Sequence, residues 1–101
     1  MAGMADRADL EKITEKLAQA EAILAYSGAA ARRVTGVRTL LRPLQSNDMP
    51  TAAARNLWIQ TVEAMLRLTD DRITVEEIRK LHRQIGELRK AIRTHLDRTA
   101  D

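Results

Sequence analysis

The 101-residue chain predicts an all-α fold, a bundle of three to four helices in a single domain covering 1–101. Three observations carry this. Ala (16) and Leu (12) dominate and β-branched residues are few, a composition that favours helix. Apolar residues recur at spacings of three and four along most of the chain. Both prolines, Pro43 and Pro50, sit at element ends rather than inside periodic stretches. The helical segments fall at 6–26, 28–44, 51–69 and 75–98.

In the first segment Asp6 is the expected N-cap. Acids crowd the first turns at Asp6, Asp9 and Glu11, where the helix dipole favours them. Leu10, Ile13, Leu17, Ala20 and Leu24 fall within about 80° of arc at ~100° per residue. A stripe that narrow resembles a coiled-coil seam and suits one partner helix.

The second segment presents Val34, Val37, Leu40, Leu41 and Leu44 on its apolar face. Continuing the first helix through this region would turn the stripe by roughly 130° about the axis. The mismatch begins at Ser27-Gly28, which predicts a break or sharp kink there; a long kinked first helix is the alternative. Pro43 ends the segment, because proline disfavours helical geometry in the residue before it. Residues 45–50 read as a loop.

Asp48 or Thr51 can cap the third segment, and Pro50 suits a first-turn position. Its apolar residues are Ala54, Leu57, Trp58, Ile59, Thr61, Val62, Met65, Leu66 and Leu68, and they cover about 200° of the wheel. An arc that wide must touch two or more neighbours, so this is the expected central helix. Trp58 reads as a core aromatic.

The fourth segment has the clearest start. Thr74 and Glu77 form a capping box, and Ile73 with Ile78 forms the matching hydrophobic staple, placing the first helical residue at Val75. Ile78, Ile85 and Ile92 share one heptad position, and Leu81, Leu88 and His95 share the other. Ile at a with Leu at d favours two-stranded coiled coils. Two full heptads are too short to stand alone, so the stripe packs on the domain or on a second copy.

Chemistry is sparse. With no Cys there is no disulfide, thiolate zinc site or cysteine nucleophile. His82 and His95 point about 140° apart, and neither has an Asp, Glu or His one turn away. The only serines, Ser27 and Ser46, have no histidine nearby in sequence, and Gly3, Gly28, Gly36 and Gly86 stand alone rather than in a phosphate loop. The expectation is therefore a non-enzymatic protein without cofactor or metal. No apolar run is long enough to cross a membrane, residues 1–9 lack the apolar core of a secretory signal, and a cytoplasmic location is expected. Arg outnumbers Lys 13 to 4, a usage common in GC-rich bacteria, and small phage or plasmid antagonist proteins share the profile.

The net charge of +3 is unevenly placed. Residues 1–26 carry −2, 27–46 carry +4, 47–72 carry −1 and 73–101 carry +2. Arg32, Arg38 and Arg42 lie opposite the apolar face of the second helix, with no acid between residues 22 and 47. Arg79, Arg83, Arg89 and Arg93, with Lys90, share a flank of the fourth within ~120° of arc. Guanidinium faces of this kind suit phosphates or an acidic partner.

Two functions follow as expectations. The first is a small helical interaction or regulatory module, an adaptor or inhibitor, that self-associates as a homodimer. Its contacts would be Ile78, Leu81, Ile85, Leu88 and Ile92, and secondarily Leu10, Leu17 and Leu24. The alternative is a nucleic-acid-binding regulator gripping phosphates through Arg32, Arg38, Arg42, Arg79, Arg83, Arg89 and Arg93. With Trp58 and Tyr26 the only aromatics, binding single strands by stacking is disfavoured.

Overall fold

The computed structural model describes residues 7–26, 28–68 and 72–99. Four α-helices follow one another: α1 (Arg7–Ala25), α2 (Ala30–Leu41), α3 (Ala52–Arg67) and α4 (Val75–Arg98), with a short 3-10 turn at Ser46–Asp48. The expected cap Asp6, Ser27 of the break and residue 69 at the end of the third segment lie outside the described residues.

The break between α1 and α2 is a hairpin rather than a kink. Gly28 sits at φ +144°, a conformation side-chain-bearing residues rarely adopt. Past it, α2 folds back along α1, and Arg33 Nη1 donates to the Leu24 carbonyl at 2.8 Å. That carbonyl is one of those a helix end leaves without an intrahelical donor.

α2 stops at Leu41, short of the expected 44. The cause differs from the expectation. Arg42, before Pro43, keeps helical angles of φ −53° and ψ −41°. Pro43 ends the helix because it has no N–H to give and its ring crowds the preceding turn. In the loop, Asp48 accepts from the Gln45 N–H at 2.8 Å, so it caps the 3-10 turn and not α3. Thr51 takes the α3 cap, accepting from the Ala54 N–H at 3.1 Å. Pro50 therefore lies outside the helix it was expected to open.

α4 starts at Val75 as expected. Thr74 Oγ1 accepts from the Glu77 N–H at 3.1 Å, and Glu77 Oε1 accepts from the Thr74 N–H at 2.8 Å. Ile73 is half-buried against the core that holds Ile78.

The central helix is α4, not α3. It packs along α1 on one side and α3 on the other, and also touches α2. Its buried stripe is Ile78, Leu81, Ile85, Leu88, Ile92 and Leu96. Leu96 takes the place expected for His95, which is only half-buried. A straight helix drifts ~20° per heptad from a strict seven-residue repeat, so by the third heptad the buried line has moved on one residue. The α1 stripe (Leu10, Ile13, Leu17, Ala20 and Leu24) is buried whole, and it serves two neighbours, α4 and α2, rather than one. Trp58 is buried in the core. The two buried hydroxyls bond within their own helices, Thr14 to Glu11 O at 2.7 Å and Thr61 to Leu57 O at 2.8 Å.

Gly86 lies mid-α4, inside continuous helix. A methyl group there would come within 2.9 Å of Glu21 Oε1 on α1, the carboxylate that Arg89 of α4 holds. Gly86→Ala should therefore stabilise by clearly less than the ~1 kcal/mol that helix propensity gives. The full gain should return when Glu21 is also replaced by Ala. Urea unfolding of wild type, both single variants and the double variant measures the difference.

Candidate interaction face

The residues expected to mediate self-association are all inside the folded chain. Ile78, Leu81, Ile85, Leu88 and Ile92 of α4 are buried, as are Leu10, Leu17 and Leu24 of α1. The two narrow seams serve chiefly as mates for each other, because α1 and α4 form the largest helix pair. Contact between copies through these side chains would require the bundle to open.

The arginines divide into two groups. Several tie helix ends together. Arg38 Nη2 donates to the Met65 and Leu68 carbonyls at 2.8 and 2.9 Å, closing the C-terminal end of α3 from α2. Arg7 Nη1 donates to the Leu96 carbonyl at 3.0 Å near the end of α4, as Arg33 does for α1. Cationic donors are favoured at these ends by both the orphan carbonyls and the dipole. Arg89 grips Glu21 between α4 and α1, with a second contact at 3.4 Å. This hydrogen bond raises the Arg89 pKa above its ordinary value against the opposing effect of burial, helped by the charge of Glu21. A raised pKa stabilises the fold at every pH below the ordinary guanidinium value, so the Arg89 shift adds no pH dependence near neutrality.

Arg79 pairs with Glu76 at 3.6 Å across open solvent. Arg32, Arg42, Arg83 and Arg93 are exposed and make no hydrogen bond or ion pair among the described residues. The seven candidate phosphate contacts are thus not one surface: Arg38 and Arg89 are committed to the fold.

Sequence reasoning missed the outer side of α3. Its wide apolar arc outruns its neighbours, leaving Ile59 48% and Leu66 79% exposed. Beside them a cleft of about 360 Å³ opens between α2 and α3. Leu41, Leu44, Trp58, Val62, Met65 and Leu66 line it, with half-buried Arg38 and exposed Arg42. Ser46 borders the same face near Trp58, Ile59 and Val62. The signal lies in the 200° arc of α3, which is as wide as it is because one flank has no covering neighbour.

The α3–α4 side holds a more polar cleft of about 320 Å³ with Gln60, Glu63, Arg67, Glu77, Lys80 and Gln84. His82 and His95 are both half-buried, and among the described residues no group of three or more acids and histidines could hold a metal ion. No described helix is long and apolar enough to cross a membrane. Searches of protein-family models, curated proteins and solved structures find no match.

Arg38→Met keeps the apolar stem and removes both carbonyl contacts, so it should lower stability by about 1–3 kcal/mol. Arg83→Met, which loses no partner, should stay within about 0.5 kcal/mol of wild type. Chemical unfolding compares the two.

Proposed function

We propose that the chain is a small, non-enzymatic helical interaction module of regulatory type, an adaptor or inhibitor, that acts in the cytoplasm and self-associates as a dimer. The observation that carries the reading is the exposed apolar face of α3, where Ile59 and Leu66 stand beside an open apolar cleft. Large apolar side chains gathered in this way mark docking surfaces more often than they decorate a monomer. The face replaces the two heptad seams as the expected point of contact, since those are occupied within the fold.

The nucleic-acid reading draws support from exposed Arg32, Arg42, Arg83 and Arg93. It is the weaker of the two, because Arg38 and Arg89 are drawn into internal contacts and the net charge is only +3.

Light scattering at tens of micromolar protein should give a mass near twice 11.3 kDa, falling on dilution. A mass of one chain at every concentration would rule the self-associating module out.

A further inference from the structure

We propose that two copies pair side by side and parallel through α3, about a two-fold axis running along that helix, so that Glu63 of each meets the other copy's Arg42. This rests on the self-association reading and adds the direction of pairing and the contact that sets it.

The wheel of α3 places a charge on either side of the exposed ridge. Ile59, Val62 and Leu66 fall within about 60° of arc. Val62 and Leu66 also line the cleft shared with α2, so one flank of the ridge runs into α2. Across that flank stands Arg42, and no acid occurs between residues 22 and 47. Glu63 lies about 40° beyond Ile59 on the opposite flank, towards the cleft shared with α4. Glu63 and Arg42 are both exposed, and neither makes an ion pair among the described residues.

Symmetry decides which flanks meet. A two-fold lying across α3 in the plane of contact makes the helices antiparallel and keeps like flanks on one side. Arg42 then stands by Arg42, and Glu63 by Glu63. A two-fold along α3 makes the helices parallel and exchanges the flanks, so each Glu63 comes to the side of the other copy's α2. Both arrangements are isologous and close on themselves. Only the parallel one brings unlike charges together. Opposite charges at matched positions set register and suppress wrong pairings.

The level along the helix agrees. Arg38 donates to the Met65 and Leu68 carbonyls at the C-terminal end of α3, whereas Leu41 and Leu44, further along α2, share the cleft with Trp58 and Val62. α2 therefore runs antiparallel to α3. Arg42, one turn past Arg38, stands near the level of Val62 and Glu63. In a parallel pair equal positions stand at equal heights, so the other copy's Glu63 arrives at that level. Ile59 then meets Ile59 and Leu66 meets Leu66, which covers the two exposed side chains of the ridge. Exposed Arg55, one turn before Ile59, meets its counterpart at the rim, a single repulsion against two Glu63–Arg42 pairs.

Disulfide linkage and sedimentation equilibrium on the full chain test the pairing, with circular dichroism confirming that each variant folds. The chain has no cysteine of its own. Under mild oxidation Ile59→Cys should link to itself, and so should Leu66→Cys. An antiparallel pair covering both side chains sets 59 against 66, and would link only a mixture of the two variants. These positions lie about 10 Å apart along α3, so the outcomes are distinct. Glu63→Arg alone and Arg42→Glu alone should each weaken the dimer by about tenfold. The double variant Glu63→Arg with Arg42→Glu should recover most of the loss, an outcome that a merely structural role for either residue does not produce. A monomeric wild type would overturn both the pairing and the self-association reading. A dimeric wild type with linkage only in the mixture, with no linkage at either position, or with a double variant no tighter than the singles, would overturn the parallel pairing alone.

Discussion

The structure depends on one long stripe of side chains. Ile78, Leu81, Ile85, Leu88, Ile92 and Leu96 run along α4 and are buried between α1 and α3. No other helix meets all three of its companions so fully. Each of these side chains contributes roughly 1.5–3 kcal/mol on full burial. The capping box at Thr74 and Glu77 sets where the stripe begins, and so sets which residues of α1 and α3 it meets. Everything at the surface follows from what α4 has already consumed. The two seams that look suited to a partner chain are spent on each other, and the outer side of α3 is left.

Arginine does a second kind of structural work. Arg33, Arg38 and Arg7 reach across to carbonyls at the ends of α1, α3 and α4. A guanidinium suits this task, because its planar fork can serve two carbonyls at once and it stays charged. The same residues give the chain its basic character. Charge that reads as an affinity for phosphate is therefore partly charge that holds helix ends, and the remainder is scattered over exposed positions such as Arg32, Arg83 and Arg93.

Much of the fold is legible in the sequence where a local mechanism writes it. Thr74 and Glu77 mark the start of α4, Thr51 caps α3, and the rotated stripe after Gly28 requires a break. What was not legible is what depends on partners distant in sequence. His95 and Leu96 differ by one position, and only the drift of a straight helix against its neighbours selects the leucine. The breadth of the α3 arc cannot say whether neighbours cover it, so α3 looked central and Ile59 and Leu66 looked buried. Arg38 sits among exposed-face residues in the helical wheel, yet its bonds to Met65 and Leu68 span about thirty positions of chain. The candidate interface was hidden for the same reason: it is defined by the absence of cover, which no single segment encodes.

The central claim is that the outer face of α3, and not the heptad seam of α4, is where this protein meets another copy of itself. The chain contains no cysteine, so one introduced thiol reports on one place. Val62→Cys sits in this face beside Ile59 and Leu66, where a disulfide to a second copy forms only if the two faces meet. Mild oxidation at micromolar protein should link this variant into a covalent dimer, while Arg83→Cys on the exposed flank of α4 stays monomeric. Linkage through position 83 with none through position 62 would contradict the account.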